Sequence, residues 1–213
     1  MKKKMTRLVA RILTFIMVLF LVGCGGEQQK FVGNWEAEVD MTKMLNDQFA
    51  AEDAEMAEII KVESFKVTMI MQFNSDGTYM MSVDADSVEA AFEGLLEDVK
   101  KGLTTYLEAM IQEQGITMTV DEVLALSGTS MDTMLDEMMK EISVEDIVGE
   151  IESEGNFLVE DGKLFLSDGK DHAVDREVYQ TYEWSGNDLK LTASYGEDED
   201  VSALYPMLFK KVN

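Results

Sequence analysis

One cysteine, one proline and one histidine in 213 residues set the first limits on this chain. A lone cysteine excludes an internal disulfide and a thiolate metal cage, so a folded domain must be held by its apolar core. Any Ser-His-Asp arrangement has to run through His172, which sits in the polar run Asp168-Gly169-Lys170-Asp171-His172 and reads as an exposed turn. The single proline argues against Pro-rich linkers. Basic residues are scarce too, 18 against 42 acidic ones, for a formal charge of −24. Such a surface repels nucleic acid, anionic head groups and other polyanions. Gly-x-Ser-x-Gly, His-Glu-x-x-His and glycine-rich phosphate-loop patterns are missing, so neither a cofactor nor a motif-based hydrolytic centre is expected. Paired carboxylates are the one enzyme chemistry that composition leaves open. Against these absences stands a hydrophobic content of 46%, enough to argue against wholesale disorder despite the charge.

What is present begins at the N-terminus. Lys2, Lys3, Lys4, Arg7 and Arg11 precede an apolar run from Ile12 to Val22. That run is about half the ~20 residues a spanning helix needs, so it reads as the core of a signal peptide. Leu21-Val22-Gly23-Cys24 at its end resembles the lipobox of bacterial lipoproteins. The resemblance implies cleavage before Cys24, a diacylglyceryl group on its thiol, and attachment to the extracytoplasmic face of a bacterial membrane. Two acyl chains anchor stably where one gives only marginal binding. The expected organisation is a cleaved signal over 1–23, a lipidated tether over 24–30, and one domain over 31–213. Losing the signal removes five basic residues and no acidic one, which leaves the mature chain at −29.

The domain alternates between two kinds of text. Trp35, Ala37 and Val39 alternate with acids, then Phe65, Val67, Met69, Met71 and Phe73 fall on one face of a long run. Asn74-Ser75-Asp76-Gly77 is a turn signal, and Tyr79, Met81 and Val83 return on one face, which predicts a hairpin. The C-terminal third repeats the pattern: Phe157–Val159 into Leu164–Leu166, Val178–Trp184 into Leu189–Ala193, and a last strand from about Leu204 to Val212. About eight strands joined mostly by short turns predict a closed antiparallel barrel, since closure removes exposed edges.

Helical text interrupts this. Apolar residues recur at i, i+3 and i+4 from Val88 to Ile111, and Thr119 with Glu122 forms a capping-box pair. Stripes follow at Met131, Met134, Leu135 and Met138, then at Val144, Ile147, Val148 and Ile151 behind a Ser143 cap, and a shorter helix is predicted over 42–60. The fold class is therefore α+β, an antiparallel, roughly eight-stranded barrel with a helical insertion at about 85–154. Residues 85–153 hold 17 acids against three lysines, a net −14. Gly33-Asn34-Trp35 in the first strand resembles the Gly-x-Trp signature of lipocalins and their calycin relatives. In that family the tryptophan closes the barrel and packs against a basic residue of the last strand, which implies a role here for Gly33, Trp35 and either Lys210 or Lys211.

Methionine is the compositional excess, 17 in all. Met69-Ile70-Met71, Met41-x-x-Met44 and Met131-x-x-Met134 resemble thioether clusters that take copper(I), yet they lie on apolar faces with no second histidine or free cysteine, so core packing is the better reading and no metal is expected. Asp84-x-Asp86 and Glu197–Asp200 are at most weak cation sites, the first lacking the ligands and glycine of an EF-hand loop. Two functions follow as expectations. One is binding of a hydrophobic small molecule or peptide, either in the barrel interior, with Met69, Met71, Tyr79, Met81 and Phe165 lining it, or in a groove under the helices. The other is an envelope protein–protein interaction module, with a packed, ligand-free barrel and acidic helices that meet a basic partner. A cavity lined by those residues favours the first; a filled barrel with an exposed apolar patch on the helices favours the second.

Overall fold

The computed structural model describes residues 25–52, 54–139, 144–196 and 199–212. The expected signal segment over 1–23, Cys24, Ser143, Glu197 and Asp198 lie outside the described residues, as do the side chains of Met138 and Ile147. The chain begins with helix α1 (Gly25–Phe31) and strand β1 (Gly33–Asp40), followed by α2 (Thr42–Glu52) and α3 (Ala54–Ile59). The hairpin β2 (Lys66–Phe73) and β3 (Thr78–Val83) leads into four helices, α4 (Ala85–Glu113), α5 (Val120–Leu126), α6 (Met131–Met139) and α7 (Val144–Ile151). Then come β4 (Ser153–Glu160), β5 (Lys163–Leu166), β6 (Tyr179–Ser185), β7 (Asp188–Tyr195), a 3-10 helix (Glu199–Leu204) and β8 (Met207–Val212). The eight strands form one closed barrel in sequence order, and β8 returns antiparallel to β1.

Local chemistry explains the hairpins. At the β2–β3 turn the Thr78 amide donates to Asp76 Oδ1 at 3.0 Å, and Gly77 takes a φ of +89°. At the β4–β5 turn Asp161 and Gly162 both have positive φ, 51° and 73°, as a two-residue type I′ turn requires. The up-and-down order gives the barrel two unlike ends. One carries α1, the end of β8 and three tight turns; every helix after α1 connects strands at the other.

The interior is filled by the alternating residues of all eight strands. Trp35, Val39, Met71, Phe73, Tyr79, Val83, Phe157, Leu164, Leu189 and Phe209 belong to one contiguous buried cluster. Each such side chain contributes ~1.5–3 kcal/mol by leaving water. Both ends are plugged. Phe31 of α1, wholly buried, makes edge contacts with Phe73, Tyr182 and Trp184 at ring distances of 5.5, 4.9 and 5.2 Å. At the far end Val88 and Ala91 of α4, with Leu45 of α2 and Val148 and Ile151 of α7, pack onto the same cluster, and Phe92 meets Phe65 edge-on at 5.4 Å.

The long helix α4 serves two cores. Its first half covers the barrel, whereas Val99 joins Ile60, Val120, Met131 and Leu135 in a second buried cluster among the helices. Gly102 makes the α3–α4 approach possible, because a Cβ there would lie 2.2 Å from the Ile59 carbonyl oxygen. One boundary differs from expectation: the last strand begins at Met207, after a 3-10 turn over Glu199–Leu204. Gly25–Phe31, where the tether is expected, is helical.

Candidate functional site

Four of the five residues expected to line a ligand site share the barrel interior. Met69 and Met81 face inward and pack against the buried cluster, while Met71 and Tyr79 are buried within it. The Tyr79 hydroxyl donates to the Ser167 carbonyl at 3.0 Å. Gly155 beneath it is required by this contact, since a Cβ would stand 2.2 Å from Ser167 O and 2.9 Å from the Tyr79 ring. Phe165 is not brought to the others. Its register opposite Leu158 puts it on the outer face, where its ring lies 5.9 Å from Tyr179. The four inward residues meet as mutual packing.

Three concave sites stand out, and none is lined by these five residues. The largest, about 670 Å³, lies at the α1 end and contains Lys30, Trp35, Trp184, Asp188 and Lys211. Its floor includes Trp35, the residue expected to close the barrel. Trp35 Nε1 donates to the Phe31 carbonyl at 2.6 Å, and Lys211 Nζ stands 5.1 Å from the indole centroid. The register that sets Lys211 opposite Trp35 selects Lys211 over Lys210 as the capping cation. Lys211 also donates to the Val32 carbonyl at 2.7 Å, so both its charge and its donor are engaged. Gly33, at φ +136°, leaves room for this side chain; a Cβ there would sit 2.6 Å from Lys211 Cε. Along β6, Gln180 Oε1, Tyr182 OH and Trp184 Nε1 are buried without a hydrogen bond of normal geometry. Burial, with the Glu27 carboxylate nearby, raises the Tyr182 phenol well above its ordinary pKa.

The second site is a 410 Å³ trough on the outer wall, where Glu36, Glu38 and Lys210 surround Leu208. The third differs in character. It is an apolar groove of about 160 Å³ between the C-terminal part of α4 and α5, with Leu107, Met110, Ile111, Ile116 and Val123 in its walls. Met110 on α4 and Ile116 beyond its end are 37% and 40% exposed, so apolar surface continues past the part of α4 that is packed. The capping box at Thr119, whose amide donates to Glu122 Oε2 at 2.8 Å, starts α5 and fixes one wall.

The carboxylates of Asp40 and Asp76 are held below their ordinary range by hydrogen bonds from Thr42 and Thr78, and that of Glu63 by Lys101. A general acid needs the opposite shift. Asp84, half of one acidic pair, caps α4 by accepting from the Ser87 amide at 2.9 Å. Among the described residues no group of three or more His, Cys, Asp or Glu could hold a metal, and no helix is long and apolar enough to cross a membrane. No protein-family model, curated protein or solved structure matches the chain.

A groove among the helices is one of the two places expected for an apolar ligand; the sequence leaves its lining residues open, although two signals mark the stretch. The α4 stripe runs further than one packed face requires, and the residues from Gly102 to Met139 include no basic side chain.

Proposed function

We infer that the chain is a lipid-anchored extracytoplasmic lipoprotein of calycin-like build, in which a packed barrel serves as a pedestal and presents an acidic helical layer to a basic protein partner. The filled interior is the observation that carries this reading. An apolar small molecule inside would need the space that Met71, Phe73, Phe157 and Leu164 occupy. The polarity of the barrel supports the geometry: α1 begins at Gly25, directly after the proposed lipidated Cys24, and the acidic helices lie at the opposite end. Lys211 over Trp35, together with Gly33, supports the calycin likeness. The net charge of −14 over residues 85–153 sets the sign of the partner.

Orientation is the testable part. Lipidation of Cys24 leaves no other thiol, so single reporters can be placed at Leu126 on α5 and at Asn187 in the β6–β7 turn. In intact cells a bulky, membrane-impermeant maleimide should label Leu126→Cys quickly. It should label Asn187→Cys slowly until detergent releases the protein from the bilayer. Equal rates at the two positions, or no labelling of Leu126→Cys from outside, would refute the pedestal arrangement.

A further inference from the structure

We propose that the groove between the C-terminal half of α4 and α5 is a docking cleft for a basic amphipathic helix of the partner protein. This rests on the reading that the helical layer faces the partner, and adds where contact is made and what is recognised. Size decides first. At about 160 Å³ the groove is well below the ~300–1,000 Å³ of small-molecule pockets, but it accommodates apolar side chains inserted from a helix. Met110 gives one wall an adaptable surface, and of the residues in the walls only Gln114 is polar.

Charge decides next. Exposed Glu108, Glu113 and Asp121 lie beside the groove residues in sequence, on the same two helices and their approach. From Gly102 to Met139 there are seven acidic residues and no basic one. The lysines just upstream are already engaged, Lys100 with Asp132 and Lys101 with Glu63 at 2.6 Å. An incoming lysine or arginine therefore meets acids and no competing cation on this stretch. A second copy of the chain, itself strongly anionic, is repelled, and so is an anionic bilayer. An apolar stripe flanked by basic residues is the occupant that satisfies both conditions.

The probe is a fluorescein-labelled peptide of roughly 18 leucines and lysines, five helical turns, with leucines spaced i, i+3, i+4, i+7. It is titrated by anisotropy against the mature lipoprotein carried in nanodiscs of zwitterionic lipid, with empty discs as blank. Saturable binding is expected, weakened roughly tenfold or more by Ile116→Asp, the scale of a lost anchor contact. Leu126→Asp adds the same charge outside the groove and should not weaken it. Matching melting curves by circular dichroism show that both variants fold. Equal affinity for a shuffled peptide of the same composition would overturn the cleft in favour of charge alone. An unchanged Ile116→Asp affinity would overturn it as well, and pairing of protein-bearing discs would point to a second copy instead. If the Leu126 thiol is inaccessible from outside the cell, the functional reading itself fails; if it is accessible and the peptide arm fails, only the cleft does.

Discussion

Truncating Met71 to alanine separates a filled barrel from a ligand-lined one. Met71 is 2% exposed, on β2 between Trp35 of β1 and Met81 of β3, and belongs to the main buried cluster. If it is packed on all sides, Met71→Ala forfeits transfer energy and leaves a cavity, a cost of ~2–5 kcal/mol. At the middle of that range, about 3 kcal/mol, a domain of this size loses about 6–12 °C in Tm. Met80, on neighbouring β3 but outward and 46% exposed, provides the control; Met80→Ala should stay within about 0.5 kcal/mol. The assay is urea unfolding followed by circular dichroism on chains truncated before Gly25, with the two slopes compared to confirm a common unfolding transition. A loss under about 1 kcal/mol at Met71 would refute the packing argument, because a side chain facing empty or solvent-filled space has little contact to lose.

Gly33→Ala combines a left-handed backbone with a Cβ 2.6 Å from Lys211 Cε, and should cost ~1–3 kcal/mol while changing the near-ultraviolet signal of the Trp35 environment. Gly102→Ala pushes a methyl against the Ile59 carbonyl and should destabilise by ~1–3 kcal/mol, with faster amide exchange in α4–α6 than in the barrel. Gly94→Ala in the same helix meets no atom within 4 Å and should instead stabilise by ~0.5–1 kcal/mol. Tyr182 sets an alkaline limit. Its folded-state pKa is raised by burial, so its contribution is intact below the ordinary phenol pKa and is lost as pH climbs past about 10. Tyr182→Phe should therefore flatten the fall of stability at high pH, as read by unfolding at stepped pH values.

The barrel was legible because period-two alternation and turn chemistry agree along the chain. Asp161-Gly162 and Asn74–Gly77 fixed two hairpins, whereas the choice between Lys210 and Lys211 as the cation that reaches Trp35 was left open and is made by the β1–β8 register. Phe165 could not be placed in that way. Leu164, Phe165 and Leu166 are all apolar, so alternation is silent in β5, and only the pairing with β4 turns Phe165 outward. Inward orientation was likewise readable for Met69, Met71, Tyr79 and Met81, but whether an inward face encloses space depends on volumes contributed by eight strands and two plugs. Phe31 shows why. As the last residue of a short polar helix it carried no periodic signal, yet it closes one end of the barrel. In the helices the stripe located α4 correctly, while the point where packing stops and the groove begins depends on the turn at Ile116.

The central claim is that the barrel is full, and native mass spectrometry of the protein extracted from its native source tests it most directly. The account predicts the mass of the chain with its covalent modifications alone, unchanged when the protein is unfolded. A stoichiometric extra mass that disappears on unfolding, and is reduced in Met71→Ala, would show an interior ligand and contradict it.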